Sequence, residues 1–148
     1  MREYAADLRH DRLPVRRVNA QDELLRRARH RQSRTAIVEF LTERLSVSTV
    51  NPDTTPPGAA TWIAWTLGRI DVHDSTIEGY FSQRVSHGPL IQRIQSLRIL
   101  GLRARLGERP LPAAAATELT DEHPRIRFAA VQAFHAARDS SHREAIWS

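Results

Sequence analysis

One stretch, DEHPRIRFAAVQAFHAARD from Asp121 to Asp139, constrains the chain more than any other. A charged, proline-marked turn runs straight into a segment whose apolar members recur at helical spacing. Ile126, Ala130, Ala133, Phe134 and Ala137 fall three and four residues apart, on one helix face. Such a helix cannot bury its apolar stripe alone, so it needs a neighbour built the same way.

Weaker versions of the pattern lie upstream. Arg127, Ala130, Val131 and Phe134 share their spacing with Arg93, Ser96, Leu97 and Leu100. Ser33, Ala36, Ile37 and Phe40 repeat it, as do Ala60, Ile63, Ala64 and Leu67. Small residues recur where helices must approach, and larger ones where they interdigitate. The expected fold is all-α, an α-solenoid of stacked antiparallel helix pairs, with about three to four repeats.

Local signals place the helices. Residues 1–18 alternate arginine and acid and read as a basic lead-in, with the repeat domain over 19–148. Asn19 is the expected cap of the first helix, with Asp22 and Glu23 in its first turn. A break near His30 precedes SRTAIVEFLTERL, where Ala36, Ile37, Phe40, Leu41 and Leu45 share a face. Residues 45–58 are a proline-rich break, and Thr55 with Pro56 makes a cap pair for the next helix. That helix, GAATWIAWTLGRI, is apolar nearly all round and is expected to be buried. Ser75 and Glu78 stand at capping-box spacing, ahead of the stripe Ile77, Tyr80, Phe81 and Val85. Leu90, Ile94, Leu97 and Leu100 line the next helix, which Gly107 ends. A short helix starts at the prolines of RPLPAAAATEL, and Asp121 is the expected cap of the last.

DEHPRIRFAAVQAF resembles a HEAT-type repeat, with an acid and proline leading into an aliphatic, arginine, alanine and aliphatic series. The resemblance implies structural roles for Asp121, Pro124, Arg127, Ala130 and Phe134. It implies that Asp121 and Arg127 hold polar positions that bond between adjacent repeats. RHRQSRTAIVEFLTER, AWTLGRI and the last repeat, taken in order, are similar to the helical-repeat region of large planctomycete and verrucomicrobial proteins. Those join a quinoprotein-like dehydrogenase propeller to HEAT-like repeats and a haem c module. Two features depart from that pattern: the break before Gly58, and the absence of any CxxCH. No oxidation chemistry therefore carries over, and no cofactor is expected.

Charge narrows the partners. The pI is near 11.0, yet all 22 basic residues are arginine. Residues 1–34 hold ten arginines against five acids, while the remainder holds twelve of each. The excess is a basic end, not a stripe along the fold. Arg26, Arg27, Arg29, Arg31 and Arg34 are the candidate binding cluster, able to grip phosphate, nucleic acid or an acidic partner. A solvated turn is the plainer reading of the same residues. Trp62 and Trp65 could line a base-binding cleft, but their apolar neighbours favour core packing. His135, Asp139 and His142 would share a face, and could bind zinc, only if the last helix continued past Asp139. DSS at that point reads as a helix end, so no metal site is expected. His87 and His123 read as turn histidines.

No nucleophile elbow, phosphate loop or HExxH occurs, and Glu39 and Glu43 read as an exposed pair. The sequence carries no cysteine, no apolar signal core and no apolar run near the roughly 20 residues of a membrane span. A cytoplasmic location is the default expectation, although the resembled parent proteins are extracytoplasmic. The expected function is a non-catalytic scaffold that binds a protein partner, as a piece of a larger multidomain protein. The alternative is a nucleic-acid-binding or base-processing repeat protein using the arginine cluster and Trp62/Trp65. A metal- or tetrapyrrole-handling module has only the histidines to support it. In SSHREAIWS, Ser140 or Ser141 could cap a further helix, with Ile146 and Trp147 folding back onto the last one or covering a partner surface.

Overall fold

Spacing of apolar residues at three and four positions produces the helices of the described residues. The computed structural model describes the backbone of residues 14–50 and 59–139, and the side chains of 18–46 and 59–139. Among them are α1 (Pro14–Ala28), α2 (Arg31–Val50), α3 (Ala59–Arg69), α4 (Ser75–His87), α5 (Leu90–Leu106), α6 (Ala113–Thr117) and α7 (Pro124–Ala137). A 3-10 turn, Glu118–Thr120, links α6 to α7, and no strand occurs among the described residues. The protein is all-α. Thr55, Pro56, His142, Ile146 and Trp147, and the roles expected of them, lie outside the described residues.

The helices divide into two units, Met1–Asp71 and Val72–Ser148. In the first, α1, α2 and α3 pack on one another. Ala20, Leu24 and Ala28, four residues apart on α1, meet a core of Ile37, Leu41 and Leu45 from α2 and Ile63 and Leu67 from α3. One polar contact is buried there: the Gln21 amide donates to Thr66 Oγ1 at 3.2 Å. In the second unit α5 packs against both α4 and α7. Ile77, Phe81 and Val85 of α4 are buried, as are Leu97 and Leu100 of α5 and Ile126, Ala130, Ala133 and Phe134 of α7. At Gly101 α5 comes close to the backbone of α7: a Cβ there would lie 2.9 Å from the Ala133 Cα.

Several local expectations are corrected. Asn19 lies inside α1, which begins at Pro14, because proline favours a first helical position and the lead-in has no other breaker. α2 runs on to Val50 through the start of the expected proline-rich break, the first proline coming only at Pro52. Ala36 is exposed and Phe40 half-buried; the buried face of α2 is Ile37, Val38, Leu41 and Leu45. Asp74, not Ser75, caps α4, accepting from the Thr76 N–H at 2.8 Å, and Glu78 pairs with Arg109 instead of closing a capping box. His123, not Asp121, caps α7 by accepting the Arg125 N–H at 3.2 Å; Asp121 accepts the His123 N–H one turn earlier.

Two helices of the second unit, α5 and α7, are closed by a left-handed residue. α5 stops at Gly107 as expected, but Glu108 takes the positive φ, 49°, and the Arg109 N–H reaches back to the Ala104 carbonyl. α7 closes the same way. Arg138 has φ 57°, its N–H bonds to the His135 carbonyl, and the Asp139 N–H bonds to the Phe134 carbonyl. This is a Schellman stop with arginine where glycine is usual. Replacing Arg138 with glycine removes the Cβ–carbonyl crowding of that conformation. The unfolding free energy should rise by about 1 kcal/mol, read as a higher melting temperature; no change or a fall would contradict the assignment.

Candidate functional site

Among helix starts whose side chains are described, three carry an arginine at the fourth residue: Arg34 on α2, Arg93 on α5 and Arg127 on α7. At each, the backbone N–H makes the first full helical bond, to His30, Pro89 and His123 respectively. Each side chain then turns back to the carbonyl end of the preceding segment. Arg34 Nε donates to the Ala28 carbonyl at 3.0 Å, and Arg93 Nε to the Val85 carbonyl at 2.6 Å. Arg127 Nη1 donates to the carbonyls of Asp121 and Glu122 at 2.8 and 2.9 Å.

Two of the three also take a carboxylate from further along the chain. Arg34 pairs with Asp71, at the turn after α3. Arg93 pairs through Nη2 with both Glu118 and Asp121, on the 3-10 turn and just after it. A cationic fork thus joins the start of one helix, the end of the previous one and a turn that follows. Arg127 has no carboxylate partner among the described residues.

The Arg93 clasp is the most enclosed. Glu118 is buried, and the Ser86 hydroxyl donates to its second oxygen at 3.3 Å. Burial opposes the charge of Arg93, but its bonds to Asp121 and Glu118 outweigh that and hold its pKa above the ordinary arginine value. The Arg93 bond holds the Asp121 carboxyl below its usual range against the opposing effect of burial, and the His123 N–H helps.

Asp121, ahead of α7, bonds to Arg93 on α5, while Arg127 holds only carbonyls. Pro124 opens α7, and Ala130 and Phe134 are buried. The spacing match in α2 shifts by one residue. With Arg34, not Ser33, set against Arg93 and Arg127, Ile37, Ser96 and Ala130 coincide and are all buried, as are Leu41, Leu100 and Phe134. The exposure of Ala36 follows from that shift.

The candidate arginine cluster is not one surface of free cations. Arg26 and Arg27 both bond Glu23, whose carboxyl they pull down to about 2. Arg34 is committed to Asp71 and Ala28. Only Arg29 and Arg31 are exposed with no side-chain partner among the described residues. Trp62 and Trp65 are half-buried on α3. α7 ends at Ala137 and Arg138 turns left-handed, so His135 and Asp139 do not share a continuous helix. Asp139 instead accepts the Leu111 N–H at 3.0 Å. Among the described residues no three His, Asp or Glu side chains gather as a metal site. His87 is exposed, and His123 is the half-buried cap of α7.

Sequence reasoning missed Arg103, which is fully buried and donates to the Asp74 carbonyl at 2.9 Å. Its position carried the signal, since it stands three residues after Leu100 and four after Ile99, on a buried face. With Arg109, which donates to the Val72 carbonyl at 2.7 Å, it fastens the approach to α4. Among the described residues no helix is long and apolar enough to cross a membrane. The chain was compared with protein-family models, curated proteins and solved structures, and none of the three comparisons returned a match.

Proposed function

We propose that the chain is a non-catalytic, HEAT-like helical-repeat module, built as an α-solenoid, that binds a protein partner. The recurrence of one arginine clasp at the fourth residue of α2, α5 and α7 carries this reading. Repeated units bonding in the same way to their neighbours are how such arrays extend. Large apolar side chains left in water, Ile91, Leu106 and Phe128, supply contact area for a partner. Cross-linking mass spectrometry on the protein at its native level should return one protein partner reproducibly, with links confined to one face. A chain that sediments as a free monomer in its own cell extract would overturn the module.

The nucleic-acid alternative has little to work with. Within the candidate cluster only Arg29 and Arg31 lack a side-chain partner among the described residues, and two phosphate contacts give a log–log slope of about −1.8. Fluorescence anisotropy with duplex and single-stranded DNA and RNA should show no binding at low salt. Tight binding with a slope near −5 or steeper, flattened by Arg29→Gln and Arg31→Gln, would restore that alternative.

A further inference from the structure

We propose that the start of α7, at Arg127 and Phe128, docks a partner's helical hairpin through a carboxylate in its connecting turn. This rests on the interaction-module reading above and names its site and the chemistry of its partner. The series of clasps makes the argument. Arg34 and Arg93 each bind a carbonyl behind them and a carboxylate from a later turn. Arg127 makes the first of these contacts, by Nη1 alone, and lacks the second among the described residues. Its Nε and Nη2 donors thus have no partner among the described residues, on an exposed side chain.

A guanidinium already oriented by two carbonyls loses less freedom on accepting a carboxylate than one swinging in solvent. The neighbouring side chain adds apolar contact. In α5 the residue after the clasp arginine is Ile94, which is half-buried; after Arg127 comes Phe128, 62% exposed. Arginine and aromatic residues are the side chains that most often dominate interfaces, arginine by bidentate bonding and the aromatic ring by area. The occupant is thus an acidic turn that leads into a helix, presented as Asp121 is presented to Arg93.

The test uses the full chain and a labelled peptide copying residues 109–139, the segment that offers Glu118 and Asp121 to Arg93. A second peptide carries Glu118→Gln and Asp121→Asn. The acidic peptide should bind the full chain at least tenfold more tightly than the neutral one. Arg127→Gln should abolish that difference while leaving the far-ultraviolet circular dichroism unchanged. Equal binding of the two peptides, or no binding of either, would overturn the site. Binding that appears only after removal of residues 140–148 would assign Arg127 to the chain's own C-terminal segment, and that too overturns it. A partner cross-linked at another face would leave the module standing while sinking this site, so the two readings fail separately.

Discussion

Replacing Arg93 with alanine should destabilise the second unit by about 3–5 kcal/mol, because it leaves the Glu118 carboxylate buried without its cation. That is a large share of the roughly 5–15 kcal/mol by which a domain is stable. Hydrogen exchange resolved along α4, α5 and α7 should show the loss, with the amides of all three losing protection together. Adding Glu118→Gln to that variant should recover part of it, since the second change removes the unpaired charge. Were the cost merely lost packing, the added change would recover nothing.

The same clasp sets a pH dependence. The folded Asp121 carboxyl titrates below its unfolded value, so its stabilising contribution is complete above about pH 4. It is lost as pH falls through the folded pKa. The Arg93→Ala variant lacks the main cause of that lowering, so its stability should fall less steeply on acidification than that of the native chain. Equal acid slopes would show that other carboxylates govern the transition.

Gly101 and Gly79 should respond to alanine with opposite signs. A Cβ on Gly101 meets the Cα and carbonyl oxygen of Ala133, each at 2.9 Å, and neither backbone atom can move without shifting α7. Overpacking of that kind costs about 1–3 kcal/mol, which outweighs the roughly 1 kcal/mol that alanine gains within a helix. Valine should cost more still and separate α5 from α7. Gly79 has nothing within 4 Å of the same construction and is exposed on α4, so alanine there should stabilise by about 0.5–1 kcal/mol. Paired urea titrations check both. Destabilisation at Gly79, or none at Gly101, would contradict the packing.

What the sequence could reveal followed from local periodicity. Ile77, Phe81 and Val85, and Ile126, Ala130, Ala133 and Phe134, stand at helical spacing and are buried as that spacing predicts. The break at His30 and the short helix at Ala113 were marked by turn residues and prolines. The caps were harder to place. Asp74 and Ser75 are both good capping residues, and the choice between them depends on where the chain enters α4. The partner of Asp121 could not be read from spacing, because a guanidinium on a neighbouring helix competes with Arg127 from 28 residues away. Arg103 was hidden by its type: a charged residue on an apolar stripe reads as solvent-facing until the carbonyl that accepts from it is known.

A double-mutant cycle on Arg93 and Asp121 tests the clasp most directly. Arg93→Ala, Asp121→Ala and the double variant are unfolded in urea at neutral pH, and the departure from additivity is measured. If Arg93 joins its helix to the turn at Asp121, the coupling should be about 1–3 kcal/mol, with Asp121→Ala costing correspondingly less once Arg93 is gone and only the His123 N–H bond is left to lose. Additivity within about 0.5 kcal/mol would mean that the two side chains do not hold each other, and that the repeated arginine is not what ties these helices together.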